Sequence, residues 1–456
     1  MRNYLLASAA ALGLMVAGGA QAANFAPTDA FQNAGSAGAP KTNPDPGKIV
    51  VRVAGLFAAD LGFVNSTSDK STAVPGAKQS PIGMGGYFRL YFGVDGRTTN
   101  GIIYGANAEM RTDFAGAGAR NYTQGTAPVG NPSSNSTAQL WYTRRSYGYV
   151  GGDSWGIVRI GQGDGPVDLF VGNSTGEFYD TGFWDGDICD LVGNGCLNWP
   201  FPVTGNEYDS AKIAWVSPSF SGFKLGLSWA PGTGTAQATG GNTAAAGQDI
   251  RTSTSANTND LNRTMNMVEI AARYQGNMGA VGIDAMAGYT FSGMVKPTAG
   301  AVFPAGTNGV NNLSLIDVGA TLSVAGFQPF FHVLTGKANA SGNAMVPQQK
   351  LISGRHKDEL VWTTGVAYGQ GPWIVGVGYV SEISQGSAAG TGNLTETGFN
   401  LGGDYTVTPG FDVFAEIIQG TRKQAGVNFR DGGAGLATAD NKINTTALLL
   451  TGLWRW

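Results

Sequence analysis

The sequence predicts an all-β protein: a transmembrane antiparallel β-barrel of about sixteen strands, with long external loops. Three observations predict it. An export signal precedes a chain with no helix-length apolar run. The rest alternates apolar and polar residues with a period of two. The connections between the alternating segments are long and short in turn.

Arg2 gives a positive start, Tyr4 to Val16 form a short apolar run, and Ala20-Gln21-Ala22 has the small-x-small pattern of a cleavage site. Residues 1–22 therefore read as a secretory signal. The run is too short to span a bilayer, which takes about 20 apolar residues. Residues 23–47 are rich in Ala, Gly, Asn and Pro, lack periodicity and read as a flexible leader. Residues 48–456 form the barrel domain.

Composition narrows the class. The 72 glycines exceed the usual share of about 7%. That excess disfavours a helical fold, because glycine costs close to 1 kcal/mol per helix position. A net charge of −3 gives no footprint of a nucleic-acid partner. In lipid, only helices and closed barrels satisfy every backbone polar group.

The alternation starts with Ile49, Val51, Val53, Phe57 and Leu61 on one parity, against Arg52 and Asp60 on the other. Phe88, Leu90, Phe92 and Val94 then oppose Tyr87, Arg89, Tyr91 and Asp95. Such runs mark strands with one apolar face. They fall near 48–64, 86–96, 101–113, 138–151, 155–163, 209–217, 222–230 and 265–275, then near 280–292, 312–324, 327–335, 358–369, 373–381, 394–405, 411–419 and 442–456. Short links such as Gly151-Gly152-Asp153 and Val324-Ala325-Gly326 alternate with long Gly-, Asn-, Ser- and Thr-rich stretches. Bacterial outer-membrane barrels have this asymmetry. A β-solenoid would show a fixed repeat, and none is present.

An Arg or Lys at the lipid midplane costs roughly 2–4 kcal/mol. The polar parity must therefore face the interior, which puts Arg52, Arg89, Arg111, Arg159, Lys212 and Lys224 in a water-filled lumen. The later segments mostly turn acids inward: Glu269, Asp284, Asp317, Glu396, Asp404, Asp412 and Glu416, with Arg273 and Arg455 as exceptions.

Tyr87-Phe88-Arg89-Leu90, Arg145-Ser146-Tyr147-Gly148-Tyr149-Val150-Gly151 with Gly156-Ile157-Val158-Arg159-Ile160-Gly161, and Asp209-Ser210-Ala211-Lys212-Ile213 running into Ser217-Pro218-Ser219-Phe220-Ser221-Gly222-Phe223 resemble the general diffusion porins of Gram-negative outer membranes. The resemblance implies a trimer and passive transport without a cofactor, with outer-membrane lipid and small hydrophilic solutes and ions as partners. It also implies a C-terminal aromatic, here Trp456, read by the barrel-assembly machinery. The family's inward loop matches residues 164–208, whose acids include Asp168, Glu177, Asp180, Asp185 and Asp187. The basic wall it would face is Arg52, Arg89, Arg111, Arg144, Arg159 and Lys212.

Arg144 and its neighbour Arg145 cannot both point inward without a bulge. Taking Tyr147 and Tyr149 as outward selects Arg144; taking Leu140, Tyr142 and Val150 as outward selects Arg145. The motif favours Arg144.

Cys189 and Cys196 lie in the same loop, and in an oxidising compartment they are expected to form one disulfide. No other Cys or His lies nearby to suggest a metal. His332 and His356 stand alone, with no legible Ser-His-Asp spacing, so no enzyme is expected. A sugar- or anion-selective channel, with Tyr87, Tyr91 and Trp155 as candidate aromatic contacts, is one alternative reading. A non-conducting adhesin or structural barrel is another.

Overall fold

The computed structural model describes residues 44–69, 78–113, 142–172, 174–176, 184, 191–192, 195–197, 199, 201, 210–232, 264–294, 312–338, 358–386, 392–427 and 441–456. The signal segment 1–22 and nearly all of the leader lie outside them.

Sixteen strands follow in chain order: β1 Ile49–Ser66, β2 Ile82–Arg97, β3 Ile103–Asp113, β4 Tyr142–Gly152, β5 Gly156–Gln162, β6 Ala211–Val216, β7 Phe223–Gly232 and β8 Thr264–Met278. The series continues with β9 Val281–Met294, β10 Ser314–Ser323, β11 Phe327–Lys337, β12 Glu359–Gln370, β13 Trp373–Ser384, β14 Leu394–Thr408, β15 Phe411–Lys423 and β16 Lys442–Arg455. Each predicted segment coincides with one strand, to within a few residues. Every strand pairs antiparallel with its chain neighbours, and β1 pairs with β16 to close the barrel.

At the closing seam, Leu56 lies opposite Arg455 and Ser66 opposite Thr445. Gly55 and Trp456 exchange backbone hydrogen bonds of 3.0 and 3.1 Å. The Trp456 indole lies over Gly55, where a Cβ would overlap it, and packs 5.3 Å from the Phe88 ring.

The exposed parity is apolar, as lipid requires. Val51, Val53, Ile160, Leu225, Phe331, Val375, Leu401, Leu450 and Trp454 all lie on it. The short links are 98–102, 153–155, 217–222, 279–280, 324–326, 371–372 and 409–410, all at one end. Two of them show how the sequence makes so tight a return. In Phe220-Ser221-Gly222-Phe223 and Val324-Ala325-Gly326-Phe327 both central residues have positive φ: 47° and 87° in the first, 48° and 84° in the second. That is the turn whose twist matches two paired strands.

The long link 163–210 enters the barrel. It begins with a short helix, α1 (Pro166–Val171), which packs against the inner faces of β6 to β9.

Candidate functional site

The interior has two unlike walls. On β2–β5 the inward residues are polar and crowded. Arg89 stands directly opposite Arg111 in register, and its guanidinium lies 3.9 Å from the Tyr87 ring centre. Glu109 is bonded by Arg111 and, at 2.5 Å, by Arg145, with Arg144 at 3.6 Å. Arg145 also donates twice to Asp164 at the start of the inward loop, at 2.8 and 2.5 Å. Arg159 lies 4.0 Å from Asp164 and 4.6 Å from the Tyr147 ring centre. Five guanidinium groups thus surround two carboxylates, Glu109 and Asp164.

A third carboxyl is close by. Burial, and then the neighbouring Asp164 carboxylate, push Asp168 well above the usual carboxylate range. Burial also acts to raise Asp164, but the Arg145 and Arg159 guanidiniums outweigh it and hold that group low. Asp168 therefore carries the shared proton and leaves the wall with excess positive charge.

Two expectations change here. Register runs from Glu109 opposite Arg145 to Met110 opposite Thr143, so Arg144 is the extra residue of a bulge. Arg145, not Arg144, keeps the inward parity, though the bulge still lets Arg144 lean toward Glu109. Tyr147 and Tyr149, taken as outward in selecting Arg144, point inward and are buried. Their hydroxyls explain why: Tyr149 donates to Asp95, and Tyr147 accepts from Asn107 at 3.1 Å. Phenol oxygens that find partners inside have no reason to face lipid.

The other predicted basic residues lie outside this cluster. Arg52 forms a two-point ion pair with Asp95 at 2.5 and 2.9 Å. Lys212 is buried beneath α1 and donates to Glu269 at 3.2 Å. The second oxygen of Glu269 accepts from the backbone N–H of Val167, at 3.3 Å. A carboxylate at a helix N-terminus is favourable there, so Lys212 and Glu269 support the loop.

Acids dominate the opposite half. Asp317, Glu359, Glu382, Glu396, Asp404, Asp412 and Glu416 are all buried on the inward parity. Arg422 pairs with Glu396 at 2.6 Å, and Arg455 pairs with Asp412.

This half also contains an apolar band that the alternation did not foretell. Trp184, Val192, Leu197, Trp199 and Phe201 of the inward loop are buried against Val64, Leu315, Leu334, Val361, Val380, Ile418 and Leu449. Glycines in the wall seat the loop. Gly398 and Gly420 lie opposite each other across β14 and β15, and a Cβ on either would collide with Trp184 and Leu197. Gly62 and Gly83, also register partners, sit under Leu191. Gly226 receives Pro166, and Gly288 receives Val167. The interior is therefore narrowed by packed apolar side chains as well as lined with charge. The available signal was glycine recurring on the inward parity of strands.

Of the predicted acidic loop, Asp168 is placed as described; Glu177, Asp180, Asp185 and Asp187 lie outside the described residues. So does Cys189, the expected partner of the buried Cys196. Trp155 sits exposed in the 153–155 link, not along the lumen, whereas Tyr87 and Tyr91 do face inward and are buried. Trp456 keeps the outward parity, 56% exposed.

A family model described as Gram-negative porin matches residues 7–425. No curated protein matches the sequence. Among solved structures, an anion-selective porin from Comamonas acidovorans is similar at 13% identity and a TM-score of 0.53, covering 90% of this chain and 100% of that one. The outer-membrane protein OmpT of Vibrio cholerae, in its trimer form, also has 13% identity, a TM-score of 0.49 and coverage of 90% and 100%. A mutant of the Rh. blastica porin has 14% identity, a TM-score of 0.47 and coverage of 89% and 100%. At such identities the likeness is one of fold.

Proposed function

The chain belongs to the Gram-negative porins and forms a channel in the outer membrane; from that premise we propose that it passes small hydrophilic solutes and ions passively, with anions drawn to the wall of β2–β5. The observation that carries this is the excess of guanidinium over carboxylate on that wall, facing a half-barrel whose inward charges are mostly acidic. Such a pair of walls sets a field across the narrow zone, and charged linings of this kind govern ion preference. No cofactor takes part. The inward loop, with the disulfide expected between Cys189 and Cys196, fixes the size limit.

The test is a reversal potential under a salt gradient, combined with liposome swelling by solutes of graded size. An anion-biased potential and a swelling rate that falls smoothly with solute size support the reading. A cation-biased potential removes the anion preference. A barrel without current would be a structural or adhesive protein.

One observation favours a second reading. Tyr87 and Tyr91 flank Arg89 on the same inward face of β2. An aromatic pair around a cation suits a saturable site for a sugar or an organic anion, and swelling that saturates with solute concentration would reveal it.

We extend the proposal to assembly. Three copies associate through their apolar outer faces, which chemical cross-linking in detergent would show as a trimer band. Trp456, presented at the seam, serves as the assembly signal, and Trp456→Ala should lower the yield of folded barrel.

A further inference from the structure

The outward face of β15 and β16 changes character along its length. Starting from the end with the short links, its register pairs are Phe411–Trp454, Val413–Gly452, Ala415–Leu450 and Ile417–Leu448, none with a charged or amide side chain. Then come Gln419–Thr446, Thr421–Asn444 and Lys423–Lys442. The polar patch continues sideways through Thr395 and Thr397 on β14 and through Asn65 on β1, which stands opposite Thr446. One strand further, β2 keeps Ile82 and Met84 outward at the same end, 55% and 60% exposed.

The height of the patch follows from strand geometry. Phe411 and Trp454 stack with ring centres 4.9 Å apart, and such aromatics mark a membrane interface. Lys423 ends β15, twelve residues beyond Phe411, and Lys442 begins β16, twelve before Trp454. Twelve residues rise about 40 Å along a strand, which is roughly 30 Å along the membrane normal at a tilt of about 40°. The apolar band of such a barrel is about 25 Å tall. The two lysines therefore stand just beyond the hydrocarbon, at the headgroup level of the outer leaflet.

Both lysines are exposed. Residues directly opposite each other hold their Cβ atoms about 5 Å apart, and like charges so placed repel and destabilise the sheet. Among the described residues, no Asp or Glu lies on the outward parity of β14, β15, β16 or β1 to offset them. The backbone beneath is tied in place. Thr421 donates to the Asn444 side-chain oxygen at 3.0 Å, the Asn444 N–H to the Thr67 hydroxyl at 3.0 Å, and the Thr395 hydroxyl to the Lys423 carbonyl at 3.4 Å. Two ammonium groups held side by side suit one ligand with several anionic oxygens.

We propose that Lys423 and Lys442 form a two-point seat for the phosphate of an outer-leaflet lipid headgroup, on the lipid-facing side of the barrel and separate from the channel. The acyl chains then run down over Ile417, Leu448 and Leu450, exposed below the lysines on the same face. A free phosphate makes no use of that apolar continuation, which is what commits the seat to a lipid.

The test is native mass spectrometry of the folded barrel in neutral-detergent micelles, which counts retained lipid. The probes are diphosphorylated lipid A, the same lipid stripped of its phosphates, and inorganic phosphate. Lys423→Gln and Lys442→Gln should each weaken retention of the phosphorylated lipid about fivefold, and together about thirtyfold, the worth of one interfacial lysine each. Replacing both by Arg should keep it. Lys337→Gln, at an exposed lysine that stands opposite Ser314 at the end of β11, should leave it unchanged. Without the lipid, the double Gln variant should unfold at a urea midpoint no lower than the wild type, because it relieves the repulsion. Unchanged retention in the double variant overturns the seat, as does equal retention of the stripped lipid. Inorganic phosphate bound as tightly as the lipid would make this a free-anion site and overturns it too. So does a cross-linked trimer that disappears in the double variant while its lipid stays, since a second copy would then cover the lysines. If the double variant yields no folded barrel, the wild type in raised salt decides. Retention must fall as salt screens the charges, and retention indifferent to salt overturns the seat.

Discussion

The wall of β2–β5 and the wall of β10–β16 face each other across one interior but are built on opposite principles. The first fills its space with long guanidinium side chains, each held by a carboxylate or a ring. The second removes side chains, presenting glycines into which the inward loop fits its own tryptophan and leucine. One wall is therefore tuned by charge, the other by shape. Charge should govern which ions pass, and shape should govern how firmly the passage holds its width. Substitutions on the two walls ought to separate those properties.

The largest effect is expected from Arg145→Ala. It leaves Glu109 and Asp164, 3% and 1% exposed at their side chains, facing fewer partners. Breaking a buried pair in this way costs roughly 3–5 kcal/mol, measurable as a lower urea midpoint for the folded barrel in lipid. Next is Gly398→Val, which forces a methyl-bearing side chain into the Trp184 seat. Overpacking of this kind costs about 1–3 kcal/mol; single-channel records should show an unsteady conductance with an unchanged reversal potential. If the reversal potential moved as well, shape and charge would not be separable by wall.

Arg89→Ala should do the converse. Its buried stacking on Tyr87 contributes about 2 kcal/mol, so stability should fall less than in Arg145→Ala while the reversal potential shifts toward cations. An unmoved potential would remove Arg89 from the narrow zone.

The smallest effect concerns pH. The Asp168 carboxyl is raised in the folded state, by burial first and by Asp164 second. Its contribution is therefore complete in acid, below the ordinary Asp range, and is lost as pH rises through the raised value. Stability of α1 against the wall should decline gently with pH in the wild type and be flat in Asp168→Asn, as followed by amide exchange.

The strands were legible because lipid enforces the alternation at several kcal/mol per misplaced charge. A tally of apolar against polar residues thus locates Val51, Phe92 or Leu450 on the outside. The site was only half legible. Arg89, Arg111 and Arg159 follow the inward parity. Arg144 and Arg145 were misjudged because a bulge breaks the two-residue count. Tyr147 and Tyr149 were misjudged because their rings weighed more in the reading than hydroxyls seeking Asn107 and Asp95. The path of the inward loop was illegible for a different reason. Gly398, Gly420, Gly62 and Gly83 specify it by lacking atoms, and the side chains they receive lie more than a hundred residues away. His332 was read as standing alone because Ser174, 158 positions away, reaches it only when the inward loop packs against β11.

The seam between β1 and β16 brings together residues as distant as Asp60 and Thr451, 391 positions apart in the chain. Until those strands meet, the nascent sheet has two raw edges, each able to pair with any extended segment nearby. Contacts of such long range form slowly. The vulnerable moment for this protein is thus kinetic: an interval, late in biogenesis, when the unfinished sheet must be shielded from joining the wrong neighbour.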